Sequence, residues 1–262
     1  MRIRAYTGAG SGRSLPKGLT MIMIGHRGAR FEAPENTIPG FRYALGLGLQ
    51  AMEFDIRMTS DGHLVVIHDA TVDRTTNGSG EVSSFTLAEI QALDARSTFE
   101  DWPEPCRVPT FAEVLDLIGH LPELLVEIKG DTDERLDEIV PKAVAEIESR
   151  GIASQVTITS FNAHALEVAQ QVAPNIRRGF IGDWNSQDYL DNAVRLGCVQ
   201  VDANHVKADR AIVAKARSLR MRVVGWPTNS NEALASVLTL QPDLFCTDAP
   251  TLLADLVASR RA

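Results

Sequence analysis

Cysteine is scarce. Cys106, Cys198 and Cys246 are odd in number and far apart, with no CxxC pair or Cys/His cluster around them. That excludes a disulfide framework and a structural zinc site, and makes a reducing compartment, the cytoplasm, the expected location. No apolar run approaches the roughly 20 residues that span a bilayer, so stable membrane insertion is not expected. Positive charge is in deficit: 26 Lys and Arg stand against 34 Asp and Glu, a net charge of −8. Nucleic acid and anionic membrane surfaces are therefore not expected as main partners, while a local basic pocket for one phosphate stays open. No GxGxxG follows any strand-like run, which counts against an open dinucleotide-binding sheet. The first residues, MRIRAYTGAGSGRSLPKG, are basic and rich in Gly and Ser but lack an apolar segment. They do not read as a secretory signal. Residues 1–20 read instead as a flexible tail, tag-like or translated from an early start codon, with a transit peptide as the weaker alternative. Met21 or Met23 would be a natural beginning for the domain.

What is present is a repeating march. The chain has 262 residues, 44% hydrophobic and 23% charged, enough for one large globular domain over 21–262. Short β-type runs fall at 21–26, 51–57, 124–129, 155–160, 176–181, 199–203, 222–227 and 243–247. Amphipathic helical stretches fit at 37–47, 110–119, 134–149, 162–172, 187–196, 208–219, 230–239 and 250–259. Thr110 with Glu113 is a capping-box start. Strands alternating with helices imply parallel βαβ units, and eight of them imply an α/β fold, the (β/α)8 TIM barrel. A doubly wound sheet is the runner-up. A ninth run, LVVIH at 64–68, follows Asp61-Gly62, a good tight-turn pair, and should return antiparallel to the second strand as a β-hairpin extension. Residues 69–108 then form a small loop-rich insertion, long enough to be functional or lid-like.

Chemistry-capable residues recur at the predicted strand ends, where barrel enzymes carry their active sites. His26-Arg27 ends the first strand, Glu53 and Asp55 lie on the second, and Glu127-Ile128-Lys129 ends the third. Ser160-Phe161, Asp202, Trp226 and Thr247-Asp248 end later ones. Glu53 and Asp55 are two apart and share a face. A closed barrel gives its second strand no solvated face, and unpaired buried carboxylates are costly. Two readings stay open. With Glu127, the pair holds a hard divalent ion, Mg²⁺ or Ca²⁺, or else the carboxylates form an ion-pair network with Arg57 and Lys129. His26 and His68 flank the same strand, and each would ordinarily be a core or capping histidine. A pair of imidazoles is also what acid–base hydrolysis needs. Arg27 and Lys129 balance charge or grip a phosphate. Trp226 and Phe161 are candidate pocket walls. His63, His120, His164 and His205 read as structural, and Ser160 lacks a nucleophile context. Asp69 either orients His68 or begins the loop.

Several stretches together resemble one family. GHRGARFEAPENT (25–37), EFDIRMTSDGHLVVIHDATVDRTTNGSGEV (53–82), VEIK (126–129), SF (160–161) and CTDAP (246–250) are similar to the glycerophosphodiester phosphodiesterases, from about residue 22 to 255. The resemblance implies a TIM barrel with a small insertion after the second strand. It implies metal-dependent hydrolysis of small glycerophosphodiesters to sn-glycerol 3-phosphate and an alcohol. It places metal ligands on Glu53, Asp55 and Glu127, acid–base histidines on His26 and His68, and phosphate-gripping cations on Arg27 and Lys129. Asn36, in PENT, is expected to be structural or to support the ligands. The strand-7 stretch GWPTN departs by inserting Pro227, and Trp226 is still expected to line the pocket.

Three rivals define what would count against this. A lipid or lysophospholipid phosphodiesterase, phospholipase D-like, would show a broad apolar wall around Phe161, Phe180, Trp184 and Trp226. A non-catalytic phosphodiester-binding protein would have lost one of His26, Glu53, Asp55, His68 or Glu127, and all are present. An aldolase would need a Schiff-base lysine, and Lys129 already has a phosphate role beside Glu127. The leaving alcohol, the ion, the nucleophile (water or the substrate 2-hydroxyl) and the oligomeric state are not specified by sequence.

Overall fold

Alternating apolar and acidic side chains along AMEFDIRM need two environments, and a closed sheet supplies both. The computed structural model describes residues 2–4, 20–184, 186 and 188–259. Of the expected tail, Arg2–Arg4 (β1) lies parallel to Thr20–Ile22, while residue 1 and residues 5–19 lie outside the described residues. Eight parallel strands close the barrel: β2 (Thr20–His26), β3 (Ala51–Met58), β5 (Glu123–Ile128), β6 (Val156–Ser160), β7 (Arg177–Ile181), β8 (Gln200–Asn204), β9 (Arg222–Trp226) and β10 (Leu244–Thr247). β10 pairs back onto β2, and β2 onto β3. The helices are α1 (Ile38–Gly46), α2 (Leu87–Gln91, in the insertion), α3 (Phe111–Ile118), α4 (Asp133–Ser149), α5 (Ala163–Val172), α6 (Tyr189–Arg195), α7 (Arg210–Ser218), α8 (Asn231–Leu240) and α9 (Pro250–Ser259). This is the TIM barrel expected from the alternation.

Along β3, Met52, Phe54 and Ile56 join the outer core beneath the helices, while Ala51 packs with Ile24, Leu125, Val224 and Leu244 in the barrel interior. Glu53 and Asp55 share the interior face with Ala51, because side chains alternate along a strand. Phe54 is fully buried, edge-on to Phe41 at 5.8 Å and tilted against Phe111 at 6.0 Å. Phe54→Ala is expected to cost about 3–5 kcal/mol, read as a fall in the urea midpoint. A midpoint like that of the wild type would contradict this packing.

The hairpin is present: β4 (Leu64–Val66) runs antiparallel to β3, with Ile56 opposite Val66. Its two faces serve two cores. Leu64 and Val66 join the main core, whereas Val65 and Ile67 join Val72, Val82, Ile90, Ala95, Cys106 and Val108. The insertion is therefore a packed unit rather than an open excursion. Capping boxes close both nearby helices, Thr86 with Glu89 on α2 and Thr110 with Glu113 on α3.

Candidate active site

Register sets the site. His26 lies level with Glu53 across β2 and β3, and Asp55 lies level with Glu127 across β3 and β5. Oxygens of Glu53, Asp55 and Glu127 come within 4.8 Å of one another, all three buried. Lys129 Nζ donates to Glu127 Oε1 at 2.5 Å and lies 3.6 Å from Asp55 Oδ1. Arg27 Nε lies 3.2 Å from Asp55 Oδ2, which also accepts from Asn36 Nδ2 at 2.9 Å. Asn36 thus holds the Asp55 carboxylate in place. Arg57 does not join the carboxylates through hydrogen bonds. It donates to the backbone oxygens of His68 at 2.9 Å and Gly130 at 3.2 Å, tying the hairpin end to the β5 end.

Fully ionised, the three carboxylates would outnumber Arg27 and Lys129 by one negative charge. Burial pushes the Glu53 carboxyl well up, helped by Asp55 and Glu127 and opposed by Arg27 and Lys129. Glu127 is raised by burial and by Asp55. Burial acts upward on Asp55 too, but Arg27, Lys129, His68 and the Asn36 amide outweigh it and hold it below the usual range. Glu53 Oε1 and Asp55 Oδ1 are buried without a hydrogen-bond partner. Orphaned carboxylate oxygens converging in a site one charge short of balance fit a hard divalent cation. With that cation the excess becomes positive, which suits a phosphodiester anion.

Two imidazoles face this cluster, His26 from the end of β2 and His68 from just past β4. His26 Nδ1 is hydrogen-bonded to Asp248 Oδ1, so its Nε2 faces inward, 3.6 Å from Glu53 Oε2. Asp248 is itself held by Asn229 Nδ2 at 2.6 Å and by Arg30 Nε at 3.0 Å. Burial pushes the Asp248 carboxyl up, but its bond to His26, with Arg30 and Asn229, holds it below the usual range. His68 Nδ1 is bonded to Asp69 Oδ1 at 2.6 Å, so Asp69 orients the histidine rather than merely opening the loop. Burial pulls the His68 imidazole down, with Arg27 and Lys129 adding to the effect and Asp55 and Asp69 opposing it.

Backbone conformation aims the cation. Arg27 adopts φ +52° and Asn36 φ +54°, the left-handed region that side chains other than Gly, Asn and Asp rarely enter. Arg27 N donates to the Glu53 carbonyl at 2.8 Å, and Asn36 N to the Arg27 carbonyl at 3.1 Å. The side chain then runs between Asp55 and Glu35, donating to Glu35 Oε1 at 2.9 Å.

His26, Arg27, Glu53, His68, Glu127, Lys129, Phe161 and Trp226 all line one cavity of about 270 Å³ at the C-terminal mouth of the barrel. Leu125, Ile181, Val224 and Cys246 are further walls, with Asp202 as the acidic group on the far side. Burial and the charge of Glu127 push the Asp202 carboxyl up to about 7. Phe161 is half-exposed, and Lys129 Nζ lies 5.9 Å from its ring centre. Trp226 keeps its place despite the following proline, joined by a cis peptide. Two aromatics do not form the wall anticipated for a lipid site. Trp184 is buried and donates to the Asp202 backbone oxygen at 2.7 Å, and Phe180 stacks on Tyr189. None of His63, His120, His164 and His205 lines the cavity. Sequence reasoning missed Glu35, Arg30, Arg74 and Asn229 as site residues, and left Asp248 only as a strand-end acid.

The sequence pattern of the glycerophosphoryl diester phosphodiesterase family matches residues 26–252. A glycerophosphodiester phosphodiesterase of Caldanaerobacter subterraneus is 34% identical over 237 residues, covering 90% of this chain and 97% of the relative. The crystal structure of a glycerophosphodiester phosphodiesterase from Agrobacterium tumefaciens superposes with a TM-score of 0.76 at 26% identity, covering 90% of this chain and 99% of the other. The same fold is shared with an Oleispira antarctica phosphodiesterase solved with its product sn-glycerol-3-phosphate, at a TM-score of 0.81 and 23% identity over 90% of this chain and 96% of that one.

Proposed function

Since the chain belongs to the glycerophosphoryl diester phosphodiesterase family, we propose that it hydrolyses small glycerophosphodiesters to sn-glycerol 3-phosphate and an alcohol. One observation carries this reading: two imidazoles, each tied through Nδ1 to a carboxylate, line one cavity with Glu53 and Glu127, two members of a buried carboxylate triad completed by Asp55 behind them. Glu53, Asp55 and Glu127 would hold Mg²⁺ or Ca²⁺. When bound, such an ion supplies stabilisation of the charge that develops on the phosphate oxygens.

The chain's own residues do the rest. Arg27 and Lys129 bind the non-bridging oxygens, the first as a planar fork and the second as a point charge. His68 is held toward its neutral form by burial, so its Nε2 takes the proton of the nucleophile. The nucleophile is water, giving glycerol 3-phosphate directly, or the glycerol 2-hydroxyl, giving a cyclic phosphate that a second turn hydrolyses. As the bond from phosphorus to the alcohol oxygen breaks, His26 Nε2 donates a proton to that oxygen. A diester lacking the 2-hydroxyl separates the two routes, since it turns over only by the first. Leu125, Ile181 and Val224 exclude water from the glycerol end, and Asp202 offers a hydroxyl an acceptor there. The modest cavity, with Phe180 and Trp184 withdrawn from it, favours soluble diesters over lipids. Among the described residues no helix is long and apolar enough to cross a membrane. A cytoplasmic location belongs to the same proposal and rests on the scarcity of cysteine.

The test is enzymatic release of glycerol 3-phosphate from glycerophosphocholine, glycerophosphoethanolamine, glycerophosphoserine and glycerophosphoinositol, beside release of choline and lysophosphatidic acid from lysophosphatidylcholine. Turnover of the soluble diesters supports the reading, and turnover of the lysophospholipid alone sinks it. The pH profile carries a second prediction. A base must be neutral to accept a proton, and a lowered pKa keeps it neutral further into acid. The acid limb of kcat/KM is therefore expected below the ordinary imidazole range. A limb at or above that range would refute His68 as the base.

A further inference from the structure

The insertion sends one side chain back into the site. Arg74 lies in the segment between β4 and α2, and all three of its guanidinium nitrogens are engaged. Nε donates to Asp69 Oδ2 at 2.6 Å, while the terminal nitrogens donate to Glu35 Oε2 at 2.7 Å and Glu35 Oε1 at 2.9 Å. Each acceptor holds a group of the candidate active site with its remaining capacity. Asp69 Oδ1 is bonded to His68 Nδ1 at 2.6 Å, and Glu35 Oε1 accepts from Arg27 at 2.9 Å. Arg27 in turn lies 3.2 Å from Asp55. A continuous run of charged hydrogen bonds thus leads from one imidazole to the phosphate-facing guanidinium, with Arg74 at its centre.

From this geometry we infer that Arg74 is a positioning residue, setting His68 and Arg27 together through one planar fork. The inference rests on the hydrolytic reading above. The root of Arg74 is firm: Thr75 and Thr76 beside it are buried, Thr76 Oγ1 donates to the Val72 carbonyl at 2.8 Å, and Val72 N donates to Gly80 O at 3.0 Å. The small core beneath the insertion therefore has a use, which is to hold this root in place. The Arg74 side chain is 40% exposed while Glu35 is buried, and Glu35 keeps its bond from Arg27 when Arg74 is removed. Its removal should affect turnover far more than stability. A lysine cannot replace it, because a point charge does not reach two carboxylates in fork geometry. An open groove lined by Arg27, His68, Asp69, Arg74 and Phe99 leads to the fork, so a small planar cation can enter where the side chain has been removed.

The experiment is steady-state kinetics of wild type, Arg74→Ala and Arg74→Lys on glycerophosphocholine, with and without guanidinium chloride at sub-denaturing concentration. Arg74→Ala is expected to lose about 10²-fold, mostly in kcat. Guanidinium should recover part of that loss in Arg74→Ala and nothing in wild type, and Arg74→Lys should remain impaired. Two results overturn the inference: a folded Arg74→Ala with wild-type kcat, or a loss that guanidinium does not recover. If Arg74→Ala does not fold, Arg74→Gln, which keeps an aliphatic stem, takes the same test. Inactivity of wild type on every diester would defeat the hydrolytic reading instead. The inference is then decided by the ring-nitrogen NMR signals of His68, which must shift between wild type and Arg74→Ala; unmoved signals overturn it.

Discussion

Asp55→Asn is expected to fold and to lose at least about 10³-fold in kcat/KM, because an ion that neutralises charge on a transferring phosphate is worth several kcal/mol. Asp55 is the centre of the acidic cluster, fully buried and level with Glu127. It faces Arg27 at 3.2 Å and Lys129 at 3.6 Å, and one of its oxygens has no hydrogen-bond partner. Removing a buried charge ordinarily leaves its partners uncompensated and unfolds proteins. Here the excess is negative. With Asp55 neutral, Glu53 and Glu127, which its charge pushes up, can both ionise against the two cations. An amide oxygen at that position can still accept from Asn36. The variant should therefore melt near wild type while its turnover falls. Calorimetry and glycerol 3-phosphate release check both halves, and activity within about tenfold of wild type would contradict the central role of this carboxylate.

The second large effect separates the histidines. His26→Ala and His68→Ala are each expected to cut turnover of glycerophosphocholine by about 10²–10⁴. They should part company on a diester with a p-nitrophenol leaving group. That oxygen leaves without being protonated, so the role given to His26 becomes dispensable. The nucleophile must lose its proton whichever alcohol departs, so the role of His68 does not. His26→Ala should thus recover most of its loss on the activated diester, and His68→Ala should not. Equal losses on both substrates would refute the division of labour. Asp248→Asn, which disturbs the bond to His26 Nδ1, should follow the His26 pattern in weaker form.

Much of this is legible in the sequence. Period-two alternation on AMEFDIRM said that Glu53 and Asp55 share a face, and a closed barrel places that face inside. Asp61-Gly62 said that the next arm turns back, and Gly62 adopts φ +82° there. His68 therefore arrives beside the carboxylates for a local reason. The polar residues ending strands gathered at one mouth because parallel strands end together. What was not legible depends on distant pairs. Asp248 meets His26 from 222 positions away because the last strand closes onto the first. Glu35 meets Arg74 across 39 positions because the insertion folds back over the first loop. Neither pairing leaves a spacing that periodicity can read. The left-handed backbone at Arg27 has no local signature either, since arginine does not favour it. The outcome of the lipid-wall criterion was not legible for a related reason: Phe180 and Trp184 sit near strand ends, but packing with Tyr189 turns them away from the cavity.

In the proposed function the three buried carboxylates hold a divalent ion that the hydrolysis requires. The direct measurement is release of glycerol 3-phosphate from glycerophosphocholine by the wild-type protein after exhaustive chelation, then with Mg²⁺, Ca²⁺ or Mn²⁺ restored one at a time. Activity should vanish on chelation and return with at least one of these ions, while Asp55→Asn stays inactive throughout. Turnover that survives chelation unchanged would contradict the account.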